Sequence, residues 1–170
     1  MTAVLPKSEI KYLIGQTPPL IEQYINLEEQ LQPNGFDMTL REVAKLESPG
    51  NIAVDNNHRI ISGLETLHFD KSDSLELKPD AYLITFNEIV HLPKNIMALA
   101  KPRSSLLRCG VAIHNAVWDA GYSGRSQALL VVYNPKGFRI QKNARVDQLV
   151  FFRLSSTTEG YQGKYQGENI

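Results

Sequence analysis

Apolar and polar positions alternate in short runs along most of this chain, and the period changes once, near residue 35. Before that point the spacing is helical in patches. Ser8 is placed to cap a short helix through Ile14, and Pro18-Pro19 interrupts the chain. Leu20, Ile21, Tyr24, Ile25 and Leu27 then recur at helical spacing, with Glu22, Glu28 and Glu29 turned outward. Pro33-Asn34-Gly35 closes this part with turn chemistry. From Phe36 onward the pattern predicts strands over 36–40, 81–86, 89–92, 97–100, 111–113, 128–133, 138–140 and 148–154. Most are bounded by Gly, Pro, Asn or Asp.

Many short strands at this spacing predict an all-β fold, mainly β with short N-terminal helices, built as a closed or double-sheet architecture. Residues 48–61 are polar and rich in turn formers, an excursion over the surface. No repeat or low-complexity segment interrupts the chain. The expected organisation is one domain over 1–170, with a helical N-terminal extension over about 1–33 and a C-terminal segment over about 155–170. That last segment carries Gly160, Gly163 and Gly167 with little apolar content. It is expected to be mobile, or to order on a ligand or partner, because it cannot build a core alone.

Composition narrows the function classes. A chain of 170 residues suffices for one core without disulfide or metal staples. The 18 basic and 18 acidic side chains balance, which gives no electrostatic case for nucleic acid or a membrane surface. The single cysteine, Cys109, excludes an intramolecular disulfide and reads as a small buried apolar residue, not a nucleophile. His58, His68, His91 and His114 are scattered without short ligand spacing, so a structural zinc site is not expected. No apolar run reaches the roughly 20 residues that span a bilayer. The first residues lack the charged-then-apolar order of a signal peptide, and the expected location is the cytoplasm.

Four segments carry candidate chemistry. Pro102-Arg103-Ser104-Ser105-Leu106, with Arg108 after it, offers two guanidinium groups and two hydroxyls suited to phosphate oxygens; alone it would read as a basic surface turn. Trp118-Asp119-Ala120-Gly121-Tyr122-Ser123-Gly124 reads as a tight turn. It projects a carboxylate able to orient water or bind a sugar hydroxyl, and an aromatic ring able to pack on a sugar; the plain alternative is an Asx-type hairpin turn. Asn143–Leu149 is a turn leading into an apolar strand. Tyr161-Gln162-Gly163-Lys164-Tyr165-Gln166-Gly167 brings a charge and a ring that can stack on a base, or is simply a disordered end.

Taken together and in this order, the segments resemble the family that contains dUTP diphosphatases and dCTP deaminases, over about Gly35 to Gly167. The pairing of Pro-Arg-Ser-Ser-Leu with Asp-Ala-Gly-Tyr-Ser-Gly carries the resemblance. It implies a distorted jelly-roll (β-clip) fold and a homotrimer whose sites are shared between subunits. It implies that dUTP is the substrate and that Mg²⁺ is held mainly through the triphosphate, with no direct protein ligand. By the same resemblance, Asp119 contacts the deoxyribose 3′-hydroxyl and activates water, and Tyr122 excludes a ribose 2′-hydroxyl. Arg103, Ser104, Ser105 and Arg108 line the triphosphate, and Gln148 contacts phosphates or base. Asn115 belongs to the base-recognition hairpin, here short. Lys164, Tyr165 and Gln166 match a segment that closes over the nucleotide. Phe36-Asp37 matches a first motif whose aspartate is structural or helps a magnesium site indirectly. The tail reads Lys-Tyr-Gln-Gly, where the familiar diphosphatases have an arginine and a phenylalanine, so the chain looks like a diphosphatase on a deaminase-branch backbone.

Deamination in this family uses a glutamate in the strand after the Asp-x-Gly-aromatic turn, a position that falls at about Leu129 to Val131. No carboxylate occurs between Asp119 and Asp147. Leucine and valine do no acid–base work, which disfavours the dCTP deaminase alternative. Hydrolysis at the α-phosphorus needs an aligned water and charge stabilisation, for which the residues are present. A nucleotide-binding relative without turnover is the remaining alternative.

Overall fold

The computed structural model describes residues 4–170, so the first three residues of the expected N-terminal extension lie outside it. In chain order the elements are α1 (Lys7–Ile14), β1 (Ile21–Glu22), α2 (Leu27–Gln30), β2 (Leu31–Gln32), β3 (Gly35–Leu46), β4 (Leu64–Thr66), β5 (Ser74–Leu77), β6 (Ala81–Phe86), β7 (Ile89–His91), β8 (Ile96–Pro102), α3 (Ser104–Arg108), β9 (Val111–His114), β10 (Ser123–Gly124), β11 (Gln127–Val132), β12 (Phe138–Gln141) and β13 (Arg145–Arg153). The main sheet runs β8-β13-β3-β6-β11-β9, with β2 and β4 also paired to β3. A second sheet runs β1-β7-β10, and β12 pairs with β5. Every strand pairing is antiparallel. The expected all-β jelly-roll class is what the chain adopts.

Strand β3 is the spine. Its first half pairs with β13 (Gln148 opposite Asp37) and its second half with β6 (Val43 opposite Ile84). Each pairing shifts register, between Arg145 and Asp147 in one and between Leu40 and Glu42 in the other. A bulge of this kind bends a strand and raises its twist, which lets one strand serve two parts of the sheet. The alternation read from the sequence is visible in β11, where Ala128, Leu130 and Val132 are buried while Gln127, Leu129 and Val131 are less so. Phe36, Phe86 and Phe151 lie at the centre of the core with Met38, Leu40 and Ile84. Burial of such side chains contributes about 1.5–3 kcal/mol each.

The N-terminal region differs in part from its periodicity. Helix α1 forms, starting after Pro6 instead of Ser8. Between Leu20 and Leu27 no helix forms. Ile21 is a fully buried strand residue opposite Val90, and the next helix starts only after Asn26, whose side chain accepts from the Glu28 and Glu29 amides. Antiparallel pairing with β7 satisfies the backbone of Ile21 and Glu22 instead of a helical ladder. Leu5, Ile10, Ile14 and Leu20 belong to the same core cluster as the sheet residues. The excursion over 48–61 is largely exposed, closed by an Asn51–Ile60 bridge and a short 3-10 turn at Asn56–His58. Among the described residues no helix is long and apolar enough to cross a membrane.

Candidate active site

The turn between β9 and β10 carries the second motif, and the C-terminal segment folds back along it. Tyr161 N donates to Ala120 O at 2.8 Å, Gly167 N to Ser123 O at 2.8 Å, and Arg125 N to Glu168 O at 2.9 Å. Gln166 clamps the same turn with both ends of its amide: Oε1 accepts from Ser123 N and Nε2 donates to Gly121 O, each at 3.1 Å. Gly121 makes the approach possible. It sits at φ +86°, and a Cβ there would stand 2.7 Å from Gly160 Cα and 2.9 Å from Tyr161 N.

Between turn and tail lies a cavity of about 310 Å³, lined among others by Asp119, Tyr122, Gln127, Tyr161, Tyr165 and Glu168, with Ala116 to Trp118 completing the turn side. Asp119 is exposed at its edge. Tyr122 is buried, and burial holds its phenol well above the ordinary range. The Tyr122 hydroxyl donates to Glu168 Oε1 at 2.8 Å and meets Ser126 Oγ at 3.1 Å, and Trp118 Nε1 donates to that same Ser126 oxygen. The Tyr161 ring stands edge-on to Tyr122 with centroids 5.7 Å apart. Burial also raises the Glu168 carboxyl above its ordinary value, with the Tyr122 hydroxyl acting the other way.

The phosphate candidates form a second group on β8, α3 and β13. Arg103 Nε lies 3.3 Å from Asp37 Oδ2, and Arg145 Nη1 lies 3.5 Å from the same oxygen. Burial raises the Asp37 carboxyl while Arg103 and Arg145 pull it back. Ser104, Ser105 and Arg108 are exposed on α3, where Arg108 Nη1 donates to Ser104 O at 3.1 Å. Cys109, expected to be buried, is exposed instead, because it caps α3 on the solvent side while Leu106 is the residue the helix buries. Gln148 lies over Gly35, whose missing side chain leaves room for its amide; a Cβ there would be 2.8 Å from Gln148 Nε2. No hydrogen bond or ion pair among the described residues joins this group to the Asp119–Tyr122 group.

Asn115 stands apart from the cavity. It lines an adjoining recess with Lys101, Pro102 and His114, and the cavity and this recess share Ala116 and Val117. Lys164 reaches to 6.0 Å from the Tyr165 ring centroid, and Tyr165 lines the cavity. Beneath Asn115, Asp147 is fully buried with no hydrogen-bond partner for either carboxylate oxygen. Its carboxyl is pushed up to about 7 by burial, which the neighbouring Asn115 side chain only partly offsets.

Sequence reading did not single out Trp118, Ser126, Gln127, Tyr161 or Glu168 as site residues. Tyr161 offered a signal, as an aromatic side chain in an otherwise polar tail. Glu168 offered none, because its place beside Tyr122 depends on how a coil segment turns. Arg59, from the surface excursion, lies 5.9 Å from the Tyr165 ring centroid and was equally silent in the sequence. Among the described residues no group of three or more His, Cys, Asp or Glu side chains could cage a metal ion.

Comparison with known proteins adds an independent finding. A family model described as dCTP deaminase-like matches residues 4–154. A protein of Archaeoglobus fulgidus named "Probable deoxyuridine 5'-triphosphate nucleotidohydrolase" is 50% identical over 168 residues, covering 99% of this chain and 98% of its own. A Methanosarcina mazei protein of the same name is 48% identical over 168 residues, covering 98% of each chain. The Methanocaldococcus jannaschii "Deoxyuridine 5'-triphosphate nucleotidohydrolase" is 35% identical over 141 residues, 82% of this chain and 89% of its own. Among solved structures, the 2'-deoxycytidine 5'-triphosphate deaminase from Agrobacterium tumefaciens superposes with a TM-score of 0.65 at 20% identity. The match covers 89% of this chain and 48% of that longer one, a likeness of fold.

Proposed function

This chain belongs to the dCTP deaminase-like family, and from that premise we propose that it is a dUTP diphosphatase, hydrolysing dUTP to dUMP and pyrophosphate. The observation that carries the reading is the cavity under the tail. It gathers Asp119, Tyr122 and Tyr165 around a space suited to a nucleoside, in a chain whose near-full-length relatives are named for dUTP hydrolysis.

In the proposed reaction the Asp119 carboxylate takes a proton from a water. The water oxygen bonds to the α-phosphorus as the bond from that phosphorus to the α–β bridging oxygen breaks, and pyrophosphate leaves with the electron pair. Asp119 suits the role because it stands exposed at the cavity edge, where it can meet water. Arg103, Ser104, Ser105, Arg108 and Gln148 bind the phosphates, and Tyr122 packs on the deoxyribose. Lys164 and Tyr165 approach from the closing tail. Bound with the triphosphate, Mg²⁺ would supply charge neutralisation on the leaving group.

The working unit is a homotrimer in this reading. The phosphate group and the Asp119–Tyr122 group stand on separate elements, and in this reading a neighbouring subunit brings the two together in one site. The lid role of residues 155–170 is part of the same proposal.

The deaminase alternative finds no support in β11. The side chains on its less buried face are Gln127, Leu129 and Val131, none a proton shuttle. Incubating the purified protein with Mg²⁺ and either dUTP or dCTP tests the readings directly. Pyrophosphate released from dUTP is the expected result. Formation of dUTP from dCTP would overturn it in favour of deamination, and no turnover would leave a binding protein.

A further inference from the structure

Four side chains around the cavity form one directed hydrogen-bond chain. Its direction follows from its ends. An indole Nε1–H only donates and a carboxylate only accepts. Trp118 Nε1 donates to Ser126 Oγ, and the Tyr122 hydroxyl donates to Glu168 Oε1 at 2.8 Å. The remaining link, 3.1 Å between Ser126 and Tyr122, therefore has the serine hydroxyl donating to the phenol oxygen. All four residues line the cavity. Three belong to the turn and strand that present Asp119. The fourth, Glu168, belongs to the tail.

The surroundings are built for this contact. Gly124 leaves the space it needs: a Cβ there would stand 2.5 Å from the Tyr122 hydroxyl and 3.2 Å from Glu168 Cγ. Glu168 is held by main-chain bonding, its carbonyl accepting from Arg125 N at 2.9 Å. The next residue is tied from both sides, with Arg125 Nε donating to Asn169 O and Asn169 Nδ2 to Arg125 O, each at 3.0 Å. The same tail sets Tyr161 edge-on against the Tyr122 ring. Without the tail, the tyrosine loses the acceptor for its proton and one wall of its ring.

We propose that Glu168 is a positioning residue for sugar discrimination: its carboxylate terminates the Trp118–Ser126–Tyr122 chain and fixes the Tyr122 ring against the sugar, so that a ribonucleotide is rejected only when the tail is closed. The inference rests on the dUTP diphosphatase reading and adds to it a link between two parts of the site. Selectivity and closure become one event. An open enzyme has a tyrosine free to swing and admit a 2′-hydroxyl, whereas the closed one does not. Glu168 acts through Tyr122 and need not touch the nucleotide.

The test compares kcat/KM for dUTP and UTP, with Mg²⁺, in the full-length protein and in Glu168→Ala, Glu168→Gln, Tyr122→Phe and the double variant Tyr122→Phe/Glu168→Ala. Losing a half-buried acceptor that orients a ring is expected to narrow the dUTP preference of Glu168→Ala by roughly tenfold. Glu168→Gln keeps the wild-type preference, since an amide oxygen still accepts from the phenol. Once Tyr122 has no hydroxyl, adding Glu168→Ala changes the preference no further. Glu168→Ala lowering both substrates by one common factor would make Glu168 a mere tail anchor and overturn the proposal. So would an equal change of preference with and without the Tyr122 hydroxyl. A wild-type protein that releases no pyrophosphate from dUTP overturns the hydrolase reading, and this inference with it.

Discussion

Arg103 and the buried Asp37 form a pair in which the arginine is held by one edge, with Nε 3.3 Å from Asp37 Oδ2. The guanidinium is partly exposed while the carboxylate is not. A flexible side chain is thereby fixed before any phosphate arrives, its terminal nitrogens unconstrained by Asp37. Asp37→Asn is expected to raise KM for dUTP more than it lowers kcat, because Arg103 then samples many orientations. It should also cost about 1–3 kcal/mol of stability, less than a fully buried pair, because both arginines reach solvent. Steady-state kinetics and urea unfolding check both halves.

Asp119→Asn is expected to keep the fold and most nucleotide affinity while turnover falls by about 10²–10⁴-fold, the range for a lost general base. Product release and calorimetric binding of dUMP separate the two effects. Near-normal hydrolysis would remove Asp119 from the mechanism.

Gly121→Ala tests tail docking without touching any side chain of the site. The residue sits at φ +86°, and an added Cβ meets Gly160 and Tyr161 main-chain atoms inside contact distance. The tail cannot lie as it does, and kcat/KM for dUTP is expected to fall by about tenfold or more. Deleting 161–170 should reproduce that loss. It should also lower Tm by a few degrees, since Tyr161 packs on the core and Arg125 loses its partners at Glu168 and Asn169. An unchanged Tm and unchanged kcat/KM in the deletion would reduce the tail to an end without function.

Asp147 makes stability depend on pH with a definite sign. Its carboxyl sits at about 7 in the folded chain against an ordinary value of 3.8. The folded state therefore holds a proton that the unfolded state releases, and stability falls as pH rises from about 4 through about 7. Asp147→Asn removes the charge. Its Tm should match wild type near pH 4 and exceed it by about 5 °C at pH 8. A Tm difference that does not vary with pH would show that Asp147 stays ionised in the folded protein.

The oligomer is tested by complementation. Mixing inactive Asp119→Asn with inactive Arg103→Ala under subunit-exchange conditions should restore activity if each site takes the two residues from different subunits. A monomeric mass from light scattering, with full activity, would refute sharing.

Strands were legible where burial alternates or runs unbroken: the stretch 81–86 is β6 residue for residue, and β11, β12 and β13 lie within one to three residues of their expected bounds. Tertiary pairing decided the rest. Ile21–Glu22 reads as helix by spacing, yet β7 offers it partners. Ser74–Leu77 is too short to announce itself and exists because β12 pairs with it. At the site, Asp119 and Tyr122 were visible because a tight turn has its own residue chemistry. Glu168 was not, since a carboxylate in a polar glycine-punctuated tail resembles any solvated charge until the backbone turns it inward.

The tail is held in large part by its main chain, through Tyr161 N, Gly167 N and the Glu168 carbonyl. A segment read this way can exchange most of its side chains and still dock in the same groove. A position such as Gln162 is then free to drift, while Gly160, Tyr161, Gln166 and Glu168 are held by the shapes and atoms they meet. The consequence is evolutionary: a tail tethered by its backbone can change the side chains it presents to the cavity without losing the way it docks.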